Sequence, residues 1–297
     1  HVPIHLTGEA IVGGVVNNFY YNCIDWFDDA LAIALGNTVH LINPGCSSVK
    51  QLVKAQPLLT ISSVKSATDH ILCGDSSGTL VIIDPETDSV IQRLKGHSRR
   101  IGRIEVSNQL IVTGSLDSYV YCYDERIPME RVSGSCRVEG EVSGLAVNST
   151  FLCTGTSTHS VYLFDRRMLS QPLAVEHTHK SAVKAITFDP VRSNVVFSGG
   201  GIHDRTVERW NISTNEKRVI RTGSQVISIN HELVSGEIVV TVGHPLNGFK
   251  VYDDSLCNTY IVNGHGGRII STTPFNKQRQ LASLGADGLL NVWRYGK

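Results

Sequence analysis

The sequence predicts an all-β protein built as a seven-bladed β-propeller, and three observations carry that expectation. The first is the stretch from His179 to Asn211, H-K-S-A-V-K-A-I-T-F-D-P-V-R-S-N-V-V-F-S-G-G-G-I-H-D-R-T-V-E-R-W-N. It holds three short β-type runs, Val183 to Phe188, Val195 to Ser198 and Thr206 to Trp210, cut by Asp-Pro and by a glycine triplet. Each run is too short to be a domain. The second is recurrence: strand ends matching Trp210-Asn211 fall at Asn43, Asp84, Asp124, Asp165, Asn211, Asp253 and Arg294, spaced by 41, 40, 41, 46, 42 and 41 residues. A period of about 40 to 45 is that of WD40 repeats, each of which supplies one four-stranded blade. The third is a polar set within the unit, His179, Ser198, Asp204 and Trp210, spaced as a WD-repeat hydrogen-bond relay that satisfies donors otherwise buried unpaired.

Taken in order, each repeat shows an alternating strand, a strand rich in small residues and an aromatic or aliphatic strand, as in Ile61 to Lys65, Ile71 to Gly74 and Thr79 to Asp84. An outermost strand follows, for example Ser89 to Leu94 or Lys217 to Arg221. The last repeat ends too early to hold one. His1 to Leu6 is a short alternating run with no other role, so the N-terminal strand is expected to pair with the last blade and close the ring, which otherwise leaves sheet edges unpaired. The relay recurs most fully as His265, Ser283, Asp287 and Trp293, and again as His97, Thr113 and Asp117 ending at Tyr123. Other repeats lack the histidine or the tryptophan and must be held by packed β-branched side chains. No linker-like or low-complexity segment interrupts the series, so residues 1–297 read as a single WD40 propeller domain.

Composition limits what such a domain can bind. Lys plus Arg and Asp plus Glu are both 27, so no global field draws in nucleic acid or an anionic membrane. Seven cysteines, odd in number and without a C-x-x-C, include Cys23, Cys73, Cys122 and Cys153 inside apolar runs, which reads as a reducing compartment. No apolar segment approaches the roughly 18 residues of a membrane span, and no signal peptide opens the chain. A soluble protein of the nucleus and cytoplasm is expected, whose natural start lies upstream of His1 or has been removed.

Several motifs resemble chemistry without completing it. Gly199-Gly200-Gly201 lacks the Lys-Ser/Thr and helix of a phosphate-binding loop and reads as a blade turn. His177 and His179 lie on one side of an extended chain, but no third metal ligand of suitable spacing appears. Asp25, Asp28 and Asp29 read as a solvated acidic cluster near a turn. No catalytic set converges, so no enzyme, metal or cofactor is expected. Arg93, Lys95, Arg99, Arg100 and Arg103 crowd around Gly96-His97 and read as a solvated loop or as a dock for an acidic partner; they lack the aromatics that nucleic acid requires.

Three stretches go beyond a generic propeller: N-N-F-Y-Y-N-C-I-D-W with A-L-A-I-A-L-G-N-T-V-H-L (Asn17 to Leu41), A-V-K-A-I-T-F-D-P with S-G-G-G-I-H-D-R-T-V-E-R-W-N, and T-G-S-Q-V (Thr222 to Val226). Together they resemble the Fizzy and Fizzy-related family, WD-repeat co-activators of the anaphase-promoting complex, a ubiquitin ligase. The likeness covers essentially the whole chain. It implies a substrate-recognition adaptor, with partners among the ligase's subunits, degron-bearing cyclin- or securin-like substrates and checkpoint inhibitors. The alternative is a WD-repeat scaffold whose degron pockets have decayed.

The family reads the KEN degron on one face of the ring. By the resemblance, Gln225 pairs an amide with the motif's asparagine and Arg268 takes its glutamate by a charge-assisted bond. Asn18 stands where the family has an aspartate, Ser157 where it has an asparagine and Ile202 where it has a threonine. Losing such partners costs about 1 to 3 kcal/mol each, so KEN binding is expected to be weaker or altered. The destruction box is expected between the first and last blades, at Glu9, Ala10, Ile11, Val12 and Gly288. An ungapped match puts Ile11 at the family's aspartate and Gly288 at a glutamate; a linker two residues longer makes Glu9 the acid instead. The family's C-box and C-terminal Ile-Arg are not visible, and E-R-I-P-M-E-R (Glu125 to Arg131) reads as a connector within a blade. Either the chain is trimmed to its propeller, or it reaches the ligase differently.

Overall fold

A computed structural model of the chain describes residues 4–44, 48–54, 59–127 and 132–296. Among them are seven four-stranded antiparallel sheets and no helix. The innermost strands of blades 1 to 7 are Ile24–Phe27, Ile61–Ser66, Ile101–Ser107, Val142–Val147, Val183–Phe188, Val226–His231 and Ile269–Thr272. Each packs against the next, and the seventh returns to the first. Sequence and structure agree on the third strands, Thr79–Asp84 and Thr206–Asn211 among them, and on the outermost Lys217–Arg221. Ring closure is as expected: Ile4–Ile11 pairs antiparallel with Leu289–Tyr295 and gives blade 7 its fourth strand, while residues 1–3 lie outside the described residues.

The blades are buried on both faces, which explains why their strands read as continuous apolar runs. In Thr79–Asp84, Leu80 and Ile82 pack toward blade 3, while Val81 and Ile83 pack toward blade 1. The small residues of the second strands have a matching cause. A Cβ on Gly199 would overlap Val226, the first residue of the next blade's innermost strand, and Gly114 and Gly155 meet Val142 and Val183 in the same way. This close approach sets where each innermost strand begins. Six of the seven then carry a β-bulge at their second residue, Ser62, Gly102, Ser143, Lys184, Ile227 or Ile270. A bulge takes a residue out of the ladder, leaving its carbonyl free to accept other donors.

The relay is complete in blade 7. His265 bonds Asp287 at 3.1 Å and Ser283 at 2.7 Å, and the Trp293 indole N–H donates to the Ser283 hydroxyl at 2.8 Å. In blade 3, His97 bonds Asp117 and Thr113, and Tyr123 bonds Thr113. Blade 5 corrects the sequence reading. His179 meets Asp204 at 2.5 Å and Ser198 at 2.8 Å, but Trp210 donates to Asn215 Oδ1 at 3.0 Å. Asn215 holds a left-handed φ of 56° in the turn after the third strand, and the repeat spacing does not encode this.

Other expectations are also revised. Gly199 and Gly200 finish a strand, and only Gly201 belongs to the turn. Asp25, Asp28 and Asp29 do not cluster: Asp25 is buried beside Lys65, while Asp29 accepts from Gln278 in the hairpin turn that follows. The basic patch disperses as well. Arg93 and Lys95 lie on an outermost strand, Arg100 pairs with Glu141, and Arg103 turns into the central channel. Residues 125–127 follow a third strand, as a connector would, and 128–131 lie outside the described residues.

Candidate functional site

In an antiparallel blade the start of the innermost strand and the turn joining the second strand to the third lie at the same end. Asn18, Gln225 and Arg268 precede the innermost strands of blades 1, 6 and 7, whereas Ser157 and Ile202 occupy second-to-third turns of blades 4 and 5. All five therefore lie on one face. Short backbone bonds fix them there: Ala286 N–H to Arg268 O at 2.8 Å, Gly243 N–H to Gln225 O at 2.7 Å and Ser157 N–H to Glu141 O at 2.9 Å.

Gln225 is nearly buried, with its N–H donating to His244 O, so its backbone is held on both sides. Arg268 is half-buried, and burial lowers its pKa. Its Nη2 donates to Asn17 Oδ1, tying blade 7 to the chain entering blade 1, while its Nε–H is buried and has no acceptor among the described residues. Next to Asn17, the Asn18 Oδ1 accepts the Tyr20 N–H at 2.9 Å. Ser157 Oγ accepts the Glu141 N–H at 3.0 Å, and Ile202 is exposed.

Sequence reasoning missed the centre of this face. Phe19 and Tyr20 meet edge to face at 5.2 Å, and the Arg100 guanidinium lies 5.6 Å from the Tyr20 ring and 5.3 Å from the Tyr21 ring. Arg100 also pairs with buried Glu141, whose carboxyl burial raises above its ordinary value against the pull of Arg100. Beneath them Lys184 projects from the blade 5 bulge. Its Nζ donates to Tyr21 O at 2.9 Å and to Ile270 O at 2.6 Å, and sits 5.4 Å from the Phe19 ring. Arg103 donates to Ser143 O and Lys184 O, and Asn22 to Gly102 O. Carbonyls of bulged residues thus accept side chains that cross the axis, stitching blades 1, 3, 4, 5 and 7 together under the face. The signal available in the sequence was a single lysine inside an otherwise apolar run.

The second expected site runs along the closing strand. Glu9 pairs with Asn291, Ala10 with Leu290 and Ile11 with Leu289, and Val12 N–H continues the ladder to Gly288 O at 2.8 Å. Glu9, Ala10 and Ile11 are exposed, while Val12 packs with Val15 and Val16 on the core shared by blades 1 and 7. Gly288 holds φ +79° in its turn, a conformation that a glutamate adopts only with strain. Burial lowers the His265 pKa against Asp287 and Glu9, which places the Glu9 charge within electrostatic reach of blade 7's relay.

Comparison with known proteins agrees with this architecture. The family model described as "WD domain, G-beta repeat" matches residues 88–124, the repeat carrying His97, Thr113 and Asp117. The chain is 33% identical over 299 residues to the APC/C activator protein CDC20 of Saccharomyces cerevisiae, covering 95% of this chain and 49% of that protein. It is 29% identical to Protein FIZZY-RELATED 1 of Arabidopsis thaliana, covering 93% of this chain and 60% of that one. The chain thus spans about half to three fifths of the curated relatives it matches. Among solved structures, a chain of the mitotic checkpoint complex superposes with a TM-score of 0.93 at 26% identity, over 98% of this chain and 92% of that one. With seven blades, closure by the N-terminal strand and likeness along nearly its whole length, this chain belongs to the Fizzy and Fizzy-related family of WD-repeat proteins.

Proposed function

We propose that the chain is a non-enzymatic substrate adaptor and co-activator of the anaphase-promoting complex, acting in the nucleus and cytoplasm and binding degrons on the face that carries Gln225 and Arg268. Relatives named as activators of that complex support the ligase connection, and the checkpoint-complex neighbour supports checkpoint proteins as further partners. The observation that carries the reading is Arg268: a half-buried guanidinium anchored to a neutral amide, with an Nε–H that has no acceptor among the described residues. A glutamate side chain supplies the missing acceptor as a charge-assisted bond. Gln225, one blade away, offers its amide to an asparagine, and Asn18, Ser157 and Ile202 border the same face. With an amide at Asn18, a lysine in the motif is held less firmly than by a carboxylate. The destruction box fits the ladder of Glu9 to Val12 against Gly288, with Glu9 the available carboxylate.

A fluorescent KEN peptide titrated against the purified chain tests this reading. Binding is expected, and Arg268→Ala or Gln225→Ala should each weaken it about tenfold or more, as loss of a charged or buried hydrogen bond does. Absence of binding, or binding indifferent to both substitutions, favours the scaffold alternative.

A further inference from the structure

The opposite face of the ring carries a second feature. Loops joining first to second strands lie there, and between blades 5 and 6 they enclose a groove of about 390 Å³ lined by residues of both blades, a volume within the range of ligand sites. Three of the most exposed large apolar side chains among the described residues gather at this one place: Val191 at 87%, Leu233 at 72% and Val234 at 75%. Single exposed apolar residues are ordinary, but a cluster at a groove marks an interaction site.

The groove's lining carries five carboxylates, Asp189, Glu232, Glu237, Asp253 and Asp254, against one guanidinium, Arg192. Arg279 behind it pairs with Glu232, and Arg209 and Arg218 lie within electrostatic reach of Asp254 and Asp253. Arg192 is clamped between Asp189 and Asp254, so its charge is more than matched. The Glu237 carboxylate accepts the Tyr295 hydroxyl, and the Asp253 carboxylate accepts the Ser255 hydroxyl and the Cys257 N–H; among the described residues neither forms a salt bridge. The Ser255 bond holds Asp253, and the Arg192 bond holds Asp254, below the ordinary carboxylate range, so both stay ionised at neutral pH. His231, which also lines the groove, has a buried Nε2 without a hydrogen-bond partner among the described residues.

We propose that this groove is a docking site for a partner polypeptide presenting an apolar side chain flanked by lysine or arginine. The apolar side chain covers Val191 and Leu233, and its basic neighbours meet the carboxylates at the rim, where complementary charge sets partner choice. The occupant sits on the far side of the disc from Gln225 and Arg268, so both faces can be filled together. This inference does not depend on the degron reading.

A phage-displayed dodecapeptide library panned against the intact chain tests it. Clones kept by the wild type should be compared on the Val191→Ser, Leu233→Ser, Val234→Ser triple variant and on Leu233→Ser alone; these exposed positions tolerate serine, which an unchanged urea midpoint verifies. Clones should emerge that bind the triple variant at least tenfold more weakly, carry an apolar residue beside Lys or Arg, and bind Arg268→Ala unchanged. Recovery of no clone sensitive to the triple variant overturns the proposal. So does a sensitive set with neutral or acidic flanks, or one lost equally on Arg268→Ala.

Discussion

Lys184 shows what a single residue does for the site. Its amine is buried, and that burial, with Arg103 nearby, holds its pKa well below the ordinary value. Its Nζ meets two carbonyls, Tyr21 O and Ile270 O. Because the folded pKa lies below the unfolded value of about 10.4, the unfolded chain binds more protons in the window between them, and stability rises with pH there. Lys184→Met removes that rise. In urea titrations from neutral pH to about pH 10, the stability difference between wild type and Lys184→Met should grow in favour of the wild type, by at most about 1.4 kcal/mol per pH unit. A constant difference contradicts the assignment. Sequence marked the residue only as a lysine in an otherwise apolar run; its turn to the axis was hidden, because the bulge between Val183 and Ala185 leaves no compositional mark of its own. Gln225 and Arg268 were singled out only through the family likeness, since a loop glutamine and a strand-start arginine look ordinary alone.

Within the blades, the two tryptophans separate a shared plan from its local execution. Ser283 accepts from Trp293 and also bonds His265, whereas among the described residues the Ser198 hydroxyl bonds His179 alone, because Trp210 turns to Asn215. Ser283→Ala therefore strands two buried groups and Ser198→Ala strands one. Leaving a buried donor unpaired costs about 1 to 3 kcal/mol, so urea unfolding should show Ser283→Ala as the more damaging substitution, while Asn215→Ala should destabilise blade 5 through its indole. Equal losses at both serines would mean that the indole bond contributes nothing. The period and strand boundaries of this plan were readable, because short β-type runs such as Val183–Phe188 end at glycine or Asp-Pro. The indole's partner was not, because a residue in a left-handed turn lies outside the repeat.

Over the whole molecule, closure by Ile4–Ile11 is what brings blade 1 beside blade 7 and Arg268 beside Asn17. Repeat counting anticipated this, since six spacings and one missing strand leave the N-terminal run as the sole candidate. Sequence could not show that the basic residues near His97 disperse to an outer strand, an ion pair and the channel, because distance along the chain does not reveal direction around a blade. The central claim is that one face of this ring, at the junction of blades 6, 7 and 1, reads the degron. Hydrogen-exchange mass spectrometry of the chain with and without saturating KEN peptide tests it most directly. Slowed exchange should appear in residues 17–22, 222–226 and 264–269, and vanish in Arg268→Ala. Protection confined to residues 189–192 and 232–237 on the other face, or no protection under saturation, would contradict it.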